Sequence, residues 1–205
     1  MLHSAQGPAF PDSLAGKPVT HLSIAPSTGP ADAAALLGAL AHVTQPTVST
    51  WGPADAERLV GIHLDPPMAV PSVGTGYWLD SADSAADLLR LAIADDAVLA
   101  MIEVRHVAND DDGGDGALVT APGSYRTHAV GESSSAQERS DVDAALATLH
   151  SAAGGSVVGL PPPSFADGQT STSQSAGSSV LARRDAARRA LDPERRIRYA
   201  RDDSY

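Results

Sequence analysis

Two short strings bring together side chains able to hold charge, move protons or clasp a ligand. "MIEVRHV", residues 101 to 107, carries Glu103, Arg105 and His106; "SYRTHAVGE", residues 124 to 132, carries Tyr125, Arg126, Thr127 and His128. Guanidinium groups offer a rigid fork of donors suited to a carboxylate or phosphate, imidazole both donates and accepts, and a carboxylate fixes either one in place. Both strings have the composition of strands. A period of two puts Met101, Glu103 and Arg105 on one side and Ile102, Val104 and His106 on the other. In the second string Arg126, His128 and Val130 separate in the same way from Tyr125, Thr127 and Ala129. Two uses follow. The charged residues form a cross-strand lattice on a solvated sheet face, or Glu103, Arg105, Arg126 and His128 line a wall that orients a ligand. Register decides which side chains share a face.

Other chemistries have less support. The seven His are scattered, with no His-x-x-x-His pair on a helix, so no metal site is expected. No Gly-x-Ser-x-Gly elbow marks a serine hydrolase. "GTG", residues 74 to 76, precedes a strand, whereas a dinucleotide loop follows a strand and opens a helix. "DDDGGDG", from Asp110, has the composition of a calcium loop without its ligand spacing, and reads as a solvated turn.

The 205 residues suit one principal domain. Aromatics make up only 4%, so the core is expected from Ala, Val, Leu and Ile. A net charge of -11 opposes binding to nucleic acid. There is no Cys, which excludes disulfides, thiolate metal sites and a thiol nucleophile. The opening residues lack the pattern of a secretory leader, and no apolar run is long enough for a membrane span; a cytoplasmic protein without a membrane partner is expected.

The elements that must position these side chains follow from periodicity. "PVTHLSI", from Pro18, reads as a strand and "GPADAAALLGALA" as a helix with Ala33, Leu36, Leu37 and Leu40 on one face. "QPTVSTW", 45 to 51, reads as a second strand, and a helix follows with Pro53 in its first turn. The pentapeptide Gly-Pro-Ala-Asp-Ala occurs at Gly29 and again at Gly52, as reused helix-start chemistry. "HLDPPMAVPSVG" is an irregular loop, "TGYWLD" a strand, and "SADSAADLLRLAI" a helix striped by Ala85, Leu88, Leu89 and Ala92. A strand from Ala97 to Val107 returns through "GALVT" and "SYRTHAVGE". Ser135 and Glu138 have capping-box spacing, Val142, Ala145, Leu146 and Leu149 form a stripe, and Gly154 ends that helix.

Residues 1–17 read as an N-terminal extension, 18–160 as the domain, 161–180 as a flexible Pro/Ser/Gly-rich linker, and 181–205 as a basic C-terminal helix and tail with eight arginines against five acids. The architecture expected is α+β: one mixed or mainly antiparallel sheet with helices packed on one face and an open sheet face on the other.

Several of these strings, in this order, resemble a known family. Glu103-Val104-Arg105-His106, Ala129-Val130-Gly131, and Asp192-Pro193 with Ile197 after a terminal helix are similar to motifs in the C-terminal half of bacterial FAD-linked oxidases of the berberine-bridge type. The resemblance implies a substrate, or cap, domain whose sheet roofs the flavin, with Tyr77, Glu103, Arg105, Tyr125 and Thr127 facing substrate or flavin, or His106, Arg126 and His128 if the other face is used. It also implies FAD supplied by a separate FAD-binding partner chain, because the chain has neither the family's Gly-Gly-His attachment segment nor its Tyr-x-Asn strand. The alternative is a noncatalytic α+β binding or scaffold protein, with the open face covered in a homo-oligomer.

Overall fold

The computed structural model describes residues 2–4, 14, 17–24, 29–63, 69–92, 98–107, 121–159, 165 and 178–197. "SYRTHAVGE" supplies the strand on which the sheet is organised. The described residues form seven strands: β1 (Leu2–Ser4), β2 (Pro18–Thr20), β3 (Ser72–Thr75), β4 (Trp78–Leu79), β5 (Met101–His106), β6 (Tyr125–Glu132) and β7 (Val157–Gly159). β6 pairs with β5 along one edge, from Met101 opposite Val130 to His106 opposite Tyr125. Along its other edge it pairs first with β4, then with β3. β1 joins β5 to β2, and β7 adds to β4, giving the order β2-β1-β5-β6-β4-β7 with β3 beside β6; every pairing is antiparallel.

The helices are α1 (Pro30–Ala41), α2 (Ala56–Val60), α3 (Ala82–Ala92), α4 (Ala136–Ala153) and α5 (Ser178–Leu191). α4 packs on β6 and β3, α3 packs on β5, and the two helices touch each other. The expected capping box forms: the Ser135 side chain accepts from the Glu138 N–H, and the Glu138 carboxylate accepts from the Ser135 N–H. Val142, Leu146, Leu149 and Ala153 are buried on one side of α4, and Gly154, at a φ of 32°, ends the helix in a conformation that side chains disfavour. Those residues meet Val73, Leu79, Ile102 and Ala129 from the sheet and Ala85 and Leu88 from α3. Gly131 lets α4 come close, since a Cβ there would stand 2.4 Å from a Val142 methyl. The fold is therefore α+β, with an antiparallel sheet backed by α3 and α4.

Several sequence expectations are corrected. Residues 2–4, assigned to an extension, form a strand inside the sheet; a three-residue strand is too short to reveal a period of two. The 45–51 segment forms no strand and is exposed throughout, as β-forming residues without a partner strand remain irregular. Pro53 precedes α2, which starts later because Asp55 caps it, accepting from the Arg58 N–H at 2.9 Å. Of the expected stripe on α1, Ala33 is buried and Leu36 is exposed. β5 begins at Met101, and Ala97, the Asp/Gly turn and "GALVT" lie outside the described residues. The linker expectation, 161–180, also falls largely outside them, but Phe165 is placed against the sheet, and α5 begins at Ser178.

The "TGYWLD" strand is broken into β3 and β4 by Gly76 and Tyr77, and Thr127 bridges the break. Its hydroxyl accepts from the Tyr77 N–H at 2.9 Å and donates to the Tyr77 carbonyl at 3.2 Å, while the Thr127 N–H donates to the same carbonyl at 2.9 Å. Gly76 is required because a Cβ would stand 2.1 Å from the Thr127 carbonyl oxygen. Thr127→Val keeps the shape and strips both hydroxyl bonds from a buried backbone. It is expected to destabilise the protein by about 1–3 kcal/mol, read as a lower denaturant midpoint at unchanged slope; an unchanged midpoint would refute this role.

Candidate functional site

The register sorts the predicted site residues onto two faces, dividing both of the expected sets. Tyr77, Tyr125 and Thr127 face the helices: Tyr77 is in the core with its ring 5.3 Å from that of His150 on α4, and Tyr125 packs on the same core. Burial raises the Tyr77 hydroxyl above its ordinary pKa, with a hydrogen bond from Thr75 partly opposing the shift. His106 lies on this side as well, its ring 5.2 Å from that of Tyr125, and is exposed at the strand end. These four support the sheet and are not gathered with the charged row. Sequence alternation separates His106, Tyr125 and Thr127 from the charged row on β5 and β6 and assigns no face to Tyr77, whereas the resemblance combines residues from opposite faces.

Glu103, Arg105, Arg126 and His128 share the face turned away from α3 and α4. Glu103 stands opposite His128 and Arg105 opposite Arg126. Glu103 is only 7% exposed, and its carboxylate accepts from the Arg105 Nε at 2.5 Å. Trp78 pairs with Arg126 from the other side, so its indole belongs to this face. Gly74 also contributes: a Cβ there would lie 3.0 Å from the His128 Nε2, so the missing side chain leaves room for the imidazole.

Above the row sits Phe165. Its ring centroid lies 3.9 Å from the Arg126 guanidinium carbon, and its ring meets that of His128 nearly edge to face, at 4.9 Å and 84°. The open face is thus open only in part. Sequence reasoning missed Phe165 because it stands within a Pro, Ser and Gly-rich stretch with no periodicity to mark a packed residue.

Two guanidiniums directly opposed across a ladder repel each other. The single carboxylate of the row is engaged by Arg105. Arg126 keeps its Nη2 buried with no hydrogen-bond partner among the described residues. Burial, then the charge of Arg105, push the Arg126 pKa below the ordinary arginine value, and Glu103 pulls the other way. Among Glu103, Arg105, Arg126 and His128 two guanidiniums meet one carboxylate, with Glu132 farther along the same face of β6, and a buried donor without an acceptor beside a second guanidinium is an arrangement suited to an anion. Among the described residues no group of three or more His, Asp or Glu could hold a metal ion, and no helix is long and apolar enough to cross a membrane.

The other strings behind the family resemblance have structural roles. Gly131 of Ala129-Val130-Gly131 admits α4. Asp192 is buried at the end of α5, where its carboxylate accepts from the N–H groups of Arg196 at 2.7 Å and Ile197 at 2.9 Å. No family model, curated protein or solved structure matches the chain.

Arg105→Leu would leave the Glu103 carboxylate buried without its cation, and is expected to destabilise the fold by about 1–3 kcal/mol. Adding Glu103→Leu should restore most of that loss in urea denaturation. If the double variant were no more stable than the single one, the pair would not be coupled.

Proposed function

We propose that the chain is a noncatalytic α+β binding module whose polar sheet face takes a small carboxylate-bearing ligand. The buried, unmet Nη2 donor of Arg126 carries this reading. Arg105 stands beside it to share a carboxylate, and arginine forks bind carboxylates in two-pronged fashion. Among the described residues, the Glu103 carboxylate that stands opposite His128 is already engaged by Arg105, and Ser72 lies at the far end of the face, beside Glu132. A charged row also suits a small anion better than a second copy or partner chain, since the centres of protein interfaces are depleted of charge.

The layered sheet favours a second reading, the substrate side of an FAD-linked oxidoreductase. An antiparallel sheet with helices behind it and polar residues in front is the arrangement that the resemblance implies. The residues fit that cofactor in part. Arg126 offers a donor for a ring carbonyl, but Phe165 stands over the same guanidinium, and the sequence has no Gly-Gly-His segment to attach a flavin. FAD, if used, would be held by residues other than these, and its redox chemistry would belong to the flavin.

Isothermal titration with succinate separates the readings. Saturable binding with Kd of about 1 mM or tighter is expected, weakened roughly tenfold or more in Arg126→Gln as one charge-assisted bond is lost, while added FAD gives no saturation. Absence of succinate binding at tens of times that concentration would overturn the module reading; saturable FAD binding sensitive to Arg126→Gln would replace it with the second.

A further inference from the structure

Phe165 is the one described residue of its neighbourhood, and it is placed on the polar face instead of in the apolar core. Its ring stands with its centroid 3.9 Å from the Arg126 guanidinium carbon and lies nearly perpendicular to the His128 imidazole. The guanidinium edge, by contrast, is left short of an acceptor at Nη2. An aromatic ring on the flat surface and an anion on the edge are complementary demands of one planar cation, and the chain meets only the first.

We propose that the ligand of this face is an aromatic carboxylate, and that Phe165 occupies the position of the ligand's ring until the ligand displaces it. This rests on the anion-binding reading above and extends it to a ligand class and an internal competitor. One molecule carrying both a ring and a carboxylate would satisfy the stacking surface and the unmet donor together. Arg105, directly across the ladder, supplies a second positive group for the carboxylate. Trp78, on the same face beside Arg126, is buried and borders the site. Removing the competitor should strengthen binding, because the ligand no longer has to break the Phe165 contact.

The experiment compares benzoate with cyclohexanecarboxylate, which has the same charge and nearly the same bulk but no π face, on the full chain, Phe165→Ala and Phe165→Leu. Folding of each variant is checked by circular dichroism, and Phe165→Leu keeps an apolar cover should the alanine variant not fold. Phe165→Ala is expected to bind benzoate roughly twofold to thirtyfold more tightly, the span of a cation–π contact between exposed and desolvated settings. It should prefer benzoate over cyclohexanecarboxylate by a similar factor, and Phe165→Leu should fall between the two. Adding Arg126→Met should abolish that preference. Unchanged or weaker benzoate affinity in both Phe165 variants would overturn the competitor, and equal affinity for the two acids would overturn the aromatic class. Succinate bound by the full chain in either case would leave the anion-binding reading standing; no binding of any of the three acids to any variant would remove both.

Discussion

The backbone ladder of β6 is the constraint on which the rest depends. Its eight residues exchange hydrogen bonds with β5 on one side and with β3 and β4 on the other, so three strands take their positions from it. Because successive side chains alternate, the same strand must satisfy two unlike surroundings at once. Thr127, Ala129 and Gly131 shrink steadily in size where α4 approaches, whereas Arg126 and His128 face away from that helix. A slip of one residue would drive Arg126 and His128 into the core and lift the core residues out.

The helix side accounts for the stability of this arrangement. Fully burying one Val, Leu or Ile side chain contributes about 1.5–3 kcal/mol, and Leu79, Ile102, Val73 and Val142 are the largest that are wholly buried. Against such contributions the polar side can carry an unfavourable arrangement. Opposed guanidiniums and an unmet donor oppose folding, and a structure selected for stability alone would favour an apolar or neutral row. That expense at one place, on a sheet otherwise well packed, is the kind of local conflict that marks binding surfaces. The overall acidity of the chain sharpens the contrast, because two of its few cationic side chains stand directly opposed within a chain of net charge -11.

Much of this is legible in the sequence. The α4 capping box, its apolar stripe and its glycine stop follow from side-chain chemistry and a 3.6-residue period, and all three are present. The alternation of β5 and β6 also placed Glu103, Arg105, Arg126 and His128 correctly on their strands. Register was not legible, since it depends on partners distant in sequence; hence Tyr77, Tyr125 and Thr127 were grouped with residues of the opposite face. Leu2–Ser4 and Trp78–Leu79 are too short to show a pattern. Phe165 was invisible for another reason, because a single aromatic anchored by one cation leaves no periodic trace. The motif-like strings proved to have local purposes, as with the Asp192 carboxylate that holds two backbone N–H groups.

The most direct test is amide chemical-shift mapping of the isotope-labelled chain during a benzoate titration. The account predicts saturating shifts concentrated at Glu103, Arg105, Arg126 and His128 and at Phe165, with Leu146 and Leu149 on the helix side almost still. Shifts centred on α3 and α4, or none at saturating acid, would contradict it.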